Sequence, residues 1–392
     1  MRVNRCQPLR TITTAIGASL FALFVFLLVS IAFFVPFAPS RAQASSPPDA
    51  PVVTTEGLRQ FLPVVGNERA IIPVTIAAGG MHTCALTAAG GVWCWGHNEY
   101  GQMGDNSTGD PSYMRRVPVP PQHLGAGVQA IAAGGTHTCA LMETGAVRCW
   151  GGNYYSQVGR GADGIACGYQ NSSNCFLAPQ TVITAGVKAI ATAGDHTCAL
   201  TEAGGVKCWG YNEFGQVGNG SGGVSHIEVN RPADVVGLAS GVKAIAVGGL
   251  QSCALMESGG VKCWGYNFGN GLGAATDGVV CGAEDHAFCH FTPVDVVAFP
   301  ANVAAIAVGN SHICVLTTMG AVKCWGSNGV GQLGDGQKYE RSVTPVDVIG
   351  LSDGVQAISA GSGHTCVLTE AGAMKCWGYN AIGQLGEGRG GV

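Results

Sequence analysis

The stretch HTCALTEAGGVKCWG, residues 196–210, decides the fold. Two short apolar segments flank a turn whose glycine, Gly204, lies where a three-residue hairpin loop needs a positive φ. The loop pairs Thr201 with Gly205, which puts Cys198 directly opposite Cys208. Counted from the turn, this is a non-hydrogen-bonded pair, where side chains of facing strands approach most closely. The geometry therefore predicts a hairpin with its own cross-strand disulfide.

The same pattern occurs six times, with the first cysteines of successive units 55, 59, 55, 61 and 52 residues apart. Each unit contains four strand-like segments bounded by Gly, Asn or Asp; in the fifth unit they are 293–297, 303–308, 312–317 and 321–325. A proline leads the first segment. Tandem four-stranded units of this length predict an all-β chain folded as a β-propeller, with six blades favoured by the six units.

Three recurrent sequences are specific enough to compare with a known family: Gly-Gly-x-His-Thr-Cys-Ala-Leu, Val-x-Cys-Trp-Gly, and Asn-x-x-Gly-Gln-Leu-Gly at 328–334 and 380–386. They resemble the regulator of chromosome condensation repeat family over residues 62–392. The resemblance implies a propeller that is usually seven-bladed, so seven blades remain the alternative. With six units, we expect the strand at Pro63–Val65 to close the ring beside the last blade.

The N-terminal segment, residues 1–44, is read as a secretory signal. Three arginines precede an uncharged stretch that contains the apolar run 20–35, and Ala42-Gln43-Ala44 forms a small-x-small cleavage site. The apolar part is also long enough for an uncleaved signal anchor. Both interpretations place the rest of the chain outside the cytoplasm, secreted or at the cell surface. Residues 45–61 are a linker and 62–392 the propeller.

Removing Cys6 with the signal leaves an even number of cysteines, as expected in an oxidising compartment. A zinc site is conceivable where a repeated His precedes Cys by two residues, or at Cys281 and Cys289 with His286 and His290. However, the loop 167–175 has the same cysteine spacing and no histidine. Disulfides explain both loops, so we expect no metal and no cofactor.

The sequence therefore predicts eight disulfides, one in each hairpin and one in each of the two loops. The hairpin bonds should join Cys84 to Cys94, Cys139 to Cys149, Cys198 to Cys208, Cys253 to Cys263, Cys314 to Cys324, and Cys366 to Cys376. The loop bonds should join Cys167 to Cys175 and Cys281 to Cys289.

Charge and motifs exclude several function classes. After residue 44 the chain has 16 basic and 24 acidic residues, a net charge of −8, and no basic stripe, which argues against nucleic-acid binding. Paired carboxylates, a nucleophile motif and a phosphate loop are all missing from the sequence, so we expect no enzyme.

The recurrent Trp residues lie in the repeat framework, unlike the Trp clusters that sense ultraviolet light in plant photoreceptors of the resembled family.

The leading hypothesis is a monomeric propeller that binds a protein or other macromolecule through one rim. The family resemblance includes a secreted bacterial inhibitor of β-lactamases. It also implies an alternative, nucleotide exchange on a small GTPase, which the export signal and negative charge oppose. An extracellular glycan-binding or hydrolytic protein is a third hypothesis.

The loops 103–117, 159–177 and 274–291 occupy the same position in their units and should emerge on one face, although they could equally be tolerated insertions. Aromatic and arginine side chains are typical interface anchors. The predicted binding residues are Tyr113, Arg115, Arg116, Tyr169, Phe176, His286, Phe288 and Phe291.

Overall fold

The computed structural model describes residues 64–65, 69–70, 73–108, 113–161, 163–168, 173–267, 271–274, 278–281, 287–297, 302–338 and 341–387. These residues form 27 strands and no helix. Accordingly, none of them belongs to a helix long and apolar enough to cross a membrane. The predicted signal, including the apolar run 20–35, lies outside the described residues.

The strands form a short ribbon and six antiparallel sheets, the blades, which follow one another along the chain and make a β-propeller. The ribbon pairs β1 (Val64–Val65) with β2 (Arg69–Ala70). Blade one is β3 (Pro73–Ala78), β4 (His82–Thr87), β5 (Val92–His97) and β6 (Met114–Val119). Blade two is β7 (Val128–Ala133), β8 (His137–Met142), β9 (Val147–Gly152) and β11 (Ser173–Ile183), with β10 (Ile165–Cys167) added outside β11.

The remaining blades repeat this order. Blade three is β12 (Val187–Ala193), β13 (His196–Thr201), β14 (Val206–Tyr211) and β15 (Glu228–Asp234). Blade four is β16 (Val242–Val247), β17 (Gln251–Met256), β18 (Val261–Tyr266) and β20 (Ala287–Asp295), with β19 (Val279–Cys281) outside β20. Blade five is β21 (Val303–Val308), β22 (His312–Thr317), β23 (Val322–Gly326) and β24 (Ser342–Asp347). Blade six is β25 (Val355–Ala360), β26 (His364–Thr369) and β27 (Met374–Gly378).

The six hairpin disulfides have the predicted pairing. In blade three Cys198 lies opposite Cys208 in the strand register, as the hairpin geometry requires. The other five hairpins match it, with bonds from Cys84 to Cys94, Cys139 to Cys149, Cys253 to Cys263, Cys314 to Cys324, and Cys366 to Cys376.

The two predicted loop disulfides are present as well. They join Cys167 to Cys175 in blade two and Cys281 to Cys289 in blade four. Since their sulfurs are bonded to each other, these cysteines are not thiolate ligands for zinc. Among the described residues no cluster of three metal-ligating side chains occurs.

The proline-led strand belongs to a different blade from the one that the sequence suggests. We expect it to open its own unit, but β6, which contains Pro118, pairs with β5 of the preceding unit, and β15 pairs likewise with β14. The reason is the connection: after the Trp-Gly strand the chain returns antiparallel beside it and only then crosses to the edge strand that begins the next blade. Each unit therefore contributes its first segment to the blade before it.

The predicted closure by Pro63–Val65 is wrong for Val64–Val65, which join no strand of blade six, while Pro63 lies outside the described residues. Strand β1 pairs with β2, only a few residues further along the chain. A local pairing closes a much shorter loop than a pairing across the whole repeat array, and so costs less entropy. In the described part of the chain, blade six consequently has three strands where blades one to five have at least four.

Each blade buries its apolar face against the next one. Between blades one and two, Leu86 packs in one cluster with Ile131 and Trp150. At the two ends of the array this cover is missing among the described residues. Ile76, which corresponds to Ile131, is 60% exposed in blade one, and Met374 is 75% exposed in blade six. The first and last blades thus present uncovered apolar faces where the described array ends.

Hydrogen bonds also join the blades. The hydroxyl of Thr197 in blade three donates to the Gln157 carbonyl of blade two at 3.1 Å, and Trp209 Nε1 donates to the same carbonyl at 3.0 Å. The Thr197 hydroxyl proton is used in this bond, so the hydroxyl oxygen can only accept from His137. His137 Nε2, 2.8 Å away, therefore carries the proton and donates it to this oxygen. His82, His196 and His312 pair with the next blade similarly. These four histidines therefore link neighbouring blades.

The uncovered end faces predict that equivalent leucines differ in importance. Leu200 is 1% exposed, whereas Leu368, at the same repeat position in blade six, is 39% exposed. We expect Leu200→Ala to lower the free energy of unfolding by about 2–5 kcal/mol, as for other fully buried leucines. Leu368→Ala should cost less than half as much. Guanidinium unfolding curves of the two variants measure the difference, and equal losses would contradict an uncovered face on blade six.

The buried histidines predict acid sensitivity. Burial lowers the pKa of His137 and His196 to about 3, and that of His82 and His312 to about 4. Below the ordinary histidine value of about 6.5, the unfolded chain binds protons that the folded chain excludes. Each such histidine should therefore lower stability by about 1.4 kcal/mol per pH unit as the pH falls from about 6.5 toward its folded pKa.

Blade four supplies the control for this prediction, because Gln251 replaces the histidine there and donates to the Tyr266 carbonyl at 2.9 Å. In the double variant His137→Gln/His196→Gln, stability should fall by about half as much between pH 7 and pH 5 as in the unmodified chain. Guanidinium midpoints across this range provide the measurement. The same pH slope in both proteins would assign the acid sensitivity to other groups.

Candidate binding face

Each blade carries a tail loop directly after its Trp-Gly strand, and one polar frame shapes all of these loops. In blade two, Asn153 Oδ1 accepts the Val158 amide at 3.0 Å and Asn153 Nδ2 donates to the Gly161 carbonyl at 2.7 Å. Gln157 Oε1 accepts the Tyr155 amide at 2.8 Å. The same Asn acceptor recurs in the other five blades. The Gln acceptor recurs in every blade except blade four, which has Gly271 at this position, so in these five blades the frame holds the residues between Asn and Gln at one place.

Aromatic side chains lie at these framed positions, or at the end of the preceding strand, in blades two to four. Tyr155 lies between Tyr154 and Tyr211, with ring centroids 4.6 Å and 4.5 Å away. The series continues from Tyr211 to Phe214 at 6.1 Å and from Phe214 to Tyr266 at 5.0 Å. We call these five residues the aromatic arc. At these separations neighbouring rings interact directly, so the arc is one continuous surface across blades two to four.

Two adjoining pockets border the aromatic arc and share Tyr154 and Tyr155 as a common wall. The first, about 290 Å³, is lined by Tyr154, Tyr155, Tyr211, Glu213, Ile227 and Glu228. The second, about 310 Å³, is lined by Tyr100, Thr136, Tyr154, Tyr155, Gln157, Ser173 and Asp195. Each is at the small end of the range for ligand sites, sized for a side chain or a small head group.

Three carboxylates line these pockets, and each accepts a hydrogen bond from a neutral group. Tyr211 donates its hydroxyl to Glu213 at 2.5 Å, Ser156 donates to Glu228 at 3.0 Å, and Gln157 donates to Asp195 at 3.1 Å. Burial raises the pKa of Asp195, since loss of water disfavours its charged form. Burial, followed by the Glu213 hydrogen bond, also raises the pKa of the Tyr211 phenol. The pockets combine aromatic walls with negative charge.

A third cavity, about 450 Å³, lies at the centre of the ring, where the Gly-rich turns of the six blades meet. Its lining is mainly glycine, alanine and valine, with few polar side chains. A lining of this kind offers little to orient a ligand. The aromatic pockets are therefore the better candidate site.

Part of the predicted binding set serves the framework. Arg115 Nε forms an ion pair with Asp105 at 2.8 Å and its Nη2 donates to Ser107, so its charge is used within its own loop. Phe291 covers Gly215 of the preceding blade's tail loop, where even a Cβ would collide with the ring. Phe176 packs against the core between blades two and three.

The rest of the predicted set is scattered. Tyr113 and Arg116 are exposed on blade one, and Phe288 is half-buried on blade four. Tyr169 and His286 lie outside the described residues. The described members belong to three blades and do not form a shared pocket. Their role in binding stays a prediction.

The aromatic arc itself was missed by the sequence analysis, although it left a signal. The two residues after the recurrent Asn of the tail motif are Glu-Tyr in unit one, Tyr-Tyr in unit two and Glu-Phe in unit three, against Gly-Val in unit five and Ala-Ile in unit six. Non-identical residues at a repeated position mark where a repeat protein differs from its own framework. Comparing the units at this position would have found Tyr154, Tyr155 and Phe214 of the arc.

Comparison with known proteins assigns the chain to a family: it matches the RCC1-like domain over residues 50–391. The chain belongs to the RCC1-like domain family. This RCC1-like chain is 31% identical to the Ultraviolet-B receptor UVR8 of Arabidopsis thaliana over 320 residues, which cover 80% of the chain and 66% of the receptor. It is 29% identical over 326 residues to the mitochondrial RCC1 domain-containing protein RUG3 of the same plant, again with 80% and 66% covered. The chain thus spans just under two thirds of each relative.

Solved structures share the architecture of this RCC1-like chain. Yeast RCC1, Prp20, in complex with Kap60 superposes with a TM-score of 0.63 at 26% identity, covering 78% of this chain and 70% of that one. A second Prp20p structure, from Saccharomyces cerevisiae, gives 0.66 at 24% identity with 84% and 80% covered, and its description names binding to Gsp1p and histones. Human WBSCR16 gives 0.67 at 24%, with 82% and 80% covered.

The tail-loop frame predicts a local loss of stability. Asn153 is almost fully buried, so Asn153→Ala leaves the Val158 amide and the Gly161 carbonyl without their partner. We expect a loss of about 1–3 kcal/mol in the free energy of unfolding, the usual cost of such groups. Asn380, half-buried at the same position of blade six, is the control, and Asn380→Ala should cost clearly less because water reaches it. Denaturation curves of both variants measure the two losses of stability. Equal losses would argue against the frame as the source of stability.

Proposed function

We propose that this RCC1-like propeller is an extracytoplasmic, non-catalytic protein that binds a partner protein through the face bearing the tail loops. The observation that carries the proposal is the pair of adjoining pockets at Tyr154 and Tyr155, on the face where the sequence analysis expects binding. Relatives of known structure also bind proteins, as the complex of yeast RCC1 with Kap60 illustrates.

The location outside the cytoplasm is supported by the cysteines. Eight disulfides join all sixteen cysteines of the described residues, and disulfides at this density are typical of oxidising compartments. The N-terminal sequence, with its arginines, apolar run and Ala42-Gln43-Ala44, supports export as a secreted or surface-anchored protein.

The binding face is supported by its make-up. Tyr154 is 61% exposed although it is a large aromatic residue, and it stands between two pockets. Exposed tyrosines are frequent anchors of protein interfaces, since they bury much area with few rotatable bonds. Ser173, from the predicted loop 159–177, lines the second pocket and joins this loop to the site.

Nucleotide exchange on a small GTPase is the alternative that relatives suggest, because the description of Prp20p names Gsp1p. An exchange factor acts where GTPases work, in the reducing cytoplasm or nucleus, where a set of eight disulfides would not persist. We therefore favour binding outside the cytoplasm.

Two measurements test the proposed function. Peptide mapping without reductant, on the exported chain, should recover all eight disulfides and no free thiol at these positions. The purified full chain should then capture a partner from extracytoplasmic proteins, and Tyr154→Ala should weaken that complex by about tenfold or more, as for an interface anchor. Glu202→Ala is the matched control, because Glu202 is exposed in the hairpin turn at the opposite end of the blade.

Replacing residues 164–176 by a short Gly/Ser turn tests the predicted loop separately, and should also weaken the complex. A chain retained in the cytoplasm with free thiols would contradict the proposed location. A complex that is insensitive to Tyr154→Ala and to the loop replacement, but weakened by Glu202→Ala, would place binding on the opposite face.

A further inference from the structure

The pockets beside the aromatic arc have a composition that selects one kind of ligand. We infer that they bind the cationic side chains, arginine or lysine, of a basic segment in the partner protein. This inference rests on the proposed function and adds the chemistry of the partner to it.

The first step concerns the aromatic walls. Tyr154, Tyr155 and Tyr211 line one pocket together. The ring centroid of Tyr155 is 4.6 Å from that of Tyr154 and 4.5 Å from that of Tyr211. The rings are inclined to one another at 89° and 45°, so they present differently oriented surfaces around the pocket. A cation near the face of such a ring is attracted by the ring quadrupole.

The second step concerns charge. Glu213 and Glu228 line the first pocket and Asp195 the second, while neither lining contains Lys, Arg or His. Among the described residues, every ion pair lies elsewhere, at Glu99, Asp105, Asp234, Asp295 and Asp347. The three pocket carboxylates accept only from hydroxyl and amide groups. Their charge is therefore available to a cation from outside, and it would repel an anionic ligand.

The third step concerns size and arrangement. Two open pockets of about 290 and 310 Å³ share a wall, and each has at least one carboxylate. Single side-chain heads suit such small openings better than a folded domain or a large cofactor. Two neighbouring basic residues on one extended segment could fill both, one on each side of Tyr154. A flexible segment also fits a site at the open ends of the blades.

The test uses the purified full chain and an acetylated, amidated peptide with four Gly-Arg repeats, with four Gly-Gln repeats as the neutral control. Calorimetric titration at low salt should detect binding of the arginine peptide and none of the glutamine peptide. Tyr154→Ala and Glu228→Gln should each weaken binding by about two- to fivefold, and added salt should weaken it further. Both variants should retain the unfolding midpoint of the unmodified chain.

Tyr379→Ala is the matched control. Tyr379 follows the Trp-Gly strand of blade six at the same position as Tyr211 in blade three, and it is 41% exposed. This variant should bind the arginine peptide as the unmodified chain does. Equal binding of both peptides, or arginine-peptide binding that Tyr154→Ala and Glu228→Gln leave unchanged, would overturn the inference.

Cellohexaose, a neutral oligosaccharide, is titrated as the alternative ligand, because tyrosine rings also stack on sugars. Binding of cellohexaose that depends on Tyr154, without binding of the arginine peptide, would overturn the cationic ligand. If in that case Tyr154→Ala still weakens the captured protein complex, the proposed function stands and only the partner chemistry fails. If the arginine peptide binds as expected but the protein complex ignores Tyr154→Ala, the proposed function fails instead.

Discussion

The contact between one blade and the next is the constraint on which this propeller depends. A single blade has an apolar face that it cannot bury alone, and the backbone carbonyl of a tail-loop glutamine receives two donors from the following blade. At Gln157 these are Thr197 and Trp209. Packing and hydrogen bonding thus act at the same place, where the tryptophan is fully buried. The tail loop gains its rigidity from this contact, and the aromatic arc stands on that loop.

The repeated framework and the variable positions have separate tasks. Asn, Gln, Trp and Gly recur because they build the loop and its contact with the neighbouring blade. The residues between them are free to differ, and they do: Tyr155 and Phe214 in one half of the propeller, Val330 and Ile382 in the other. The same framed position is therefore aromatic in blades two and three and aliphatic in blades five and six. Such a division allows recognition to change without altering the fold.

The hairpins and their disulfides could be predicted from the sequence because both partners lie ten residues apart and the pattern recurs six times. The assignment of the proline-led strand could not, since a tandem repeat can be divided at any point and only pairing, as between Cys94 and Val119, fixes the blade. Closure failed for a related reason, because it depends on strands from opposite ends of the array. The pockets combine residues as distant as Tyr154 and Glu228, which only the assembled ring brings together.

The hairpin disulfides have a mechanical consequence. Each joins residues ten positions apart within one blade, and among the described residues no disulfide ties one blade to another. Under tension the blades can separate, but the loop between the two cysteines of each hairpin cannot be pulled open. The residues between the two cysteines cannot extend. At about 3.4 Å per extended residue, each bond therefore shortens the fully stretched chain by roughly 30 Å. An overstretched chain would keep six preformed hairpins, and on release each would serve as a template for its neighbouring strands.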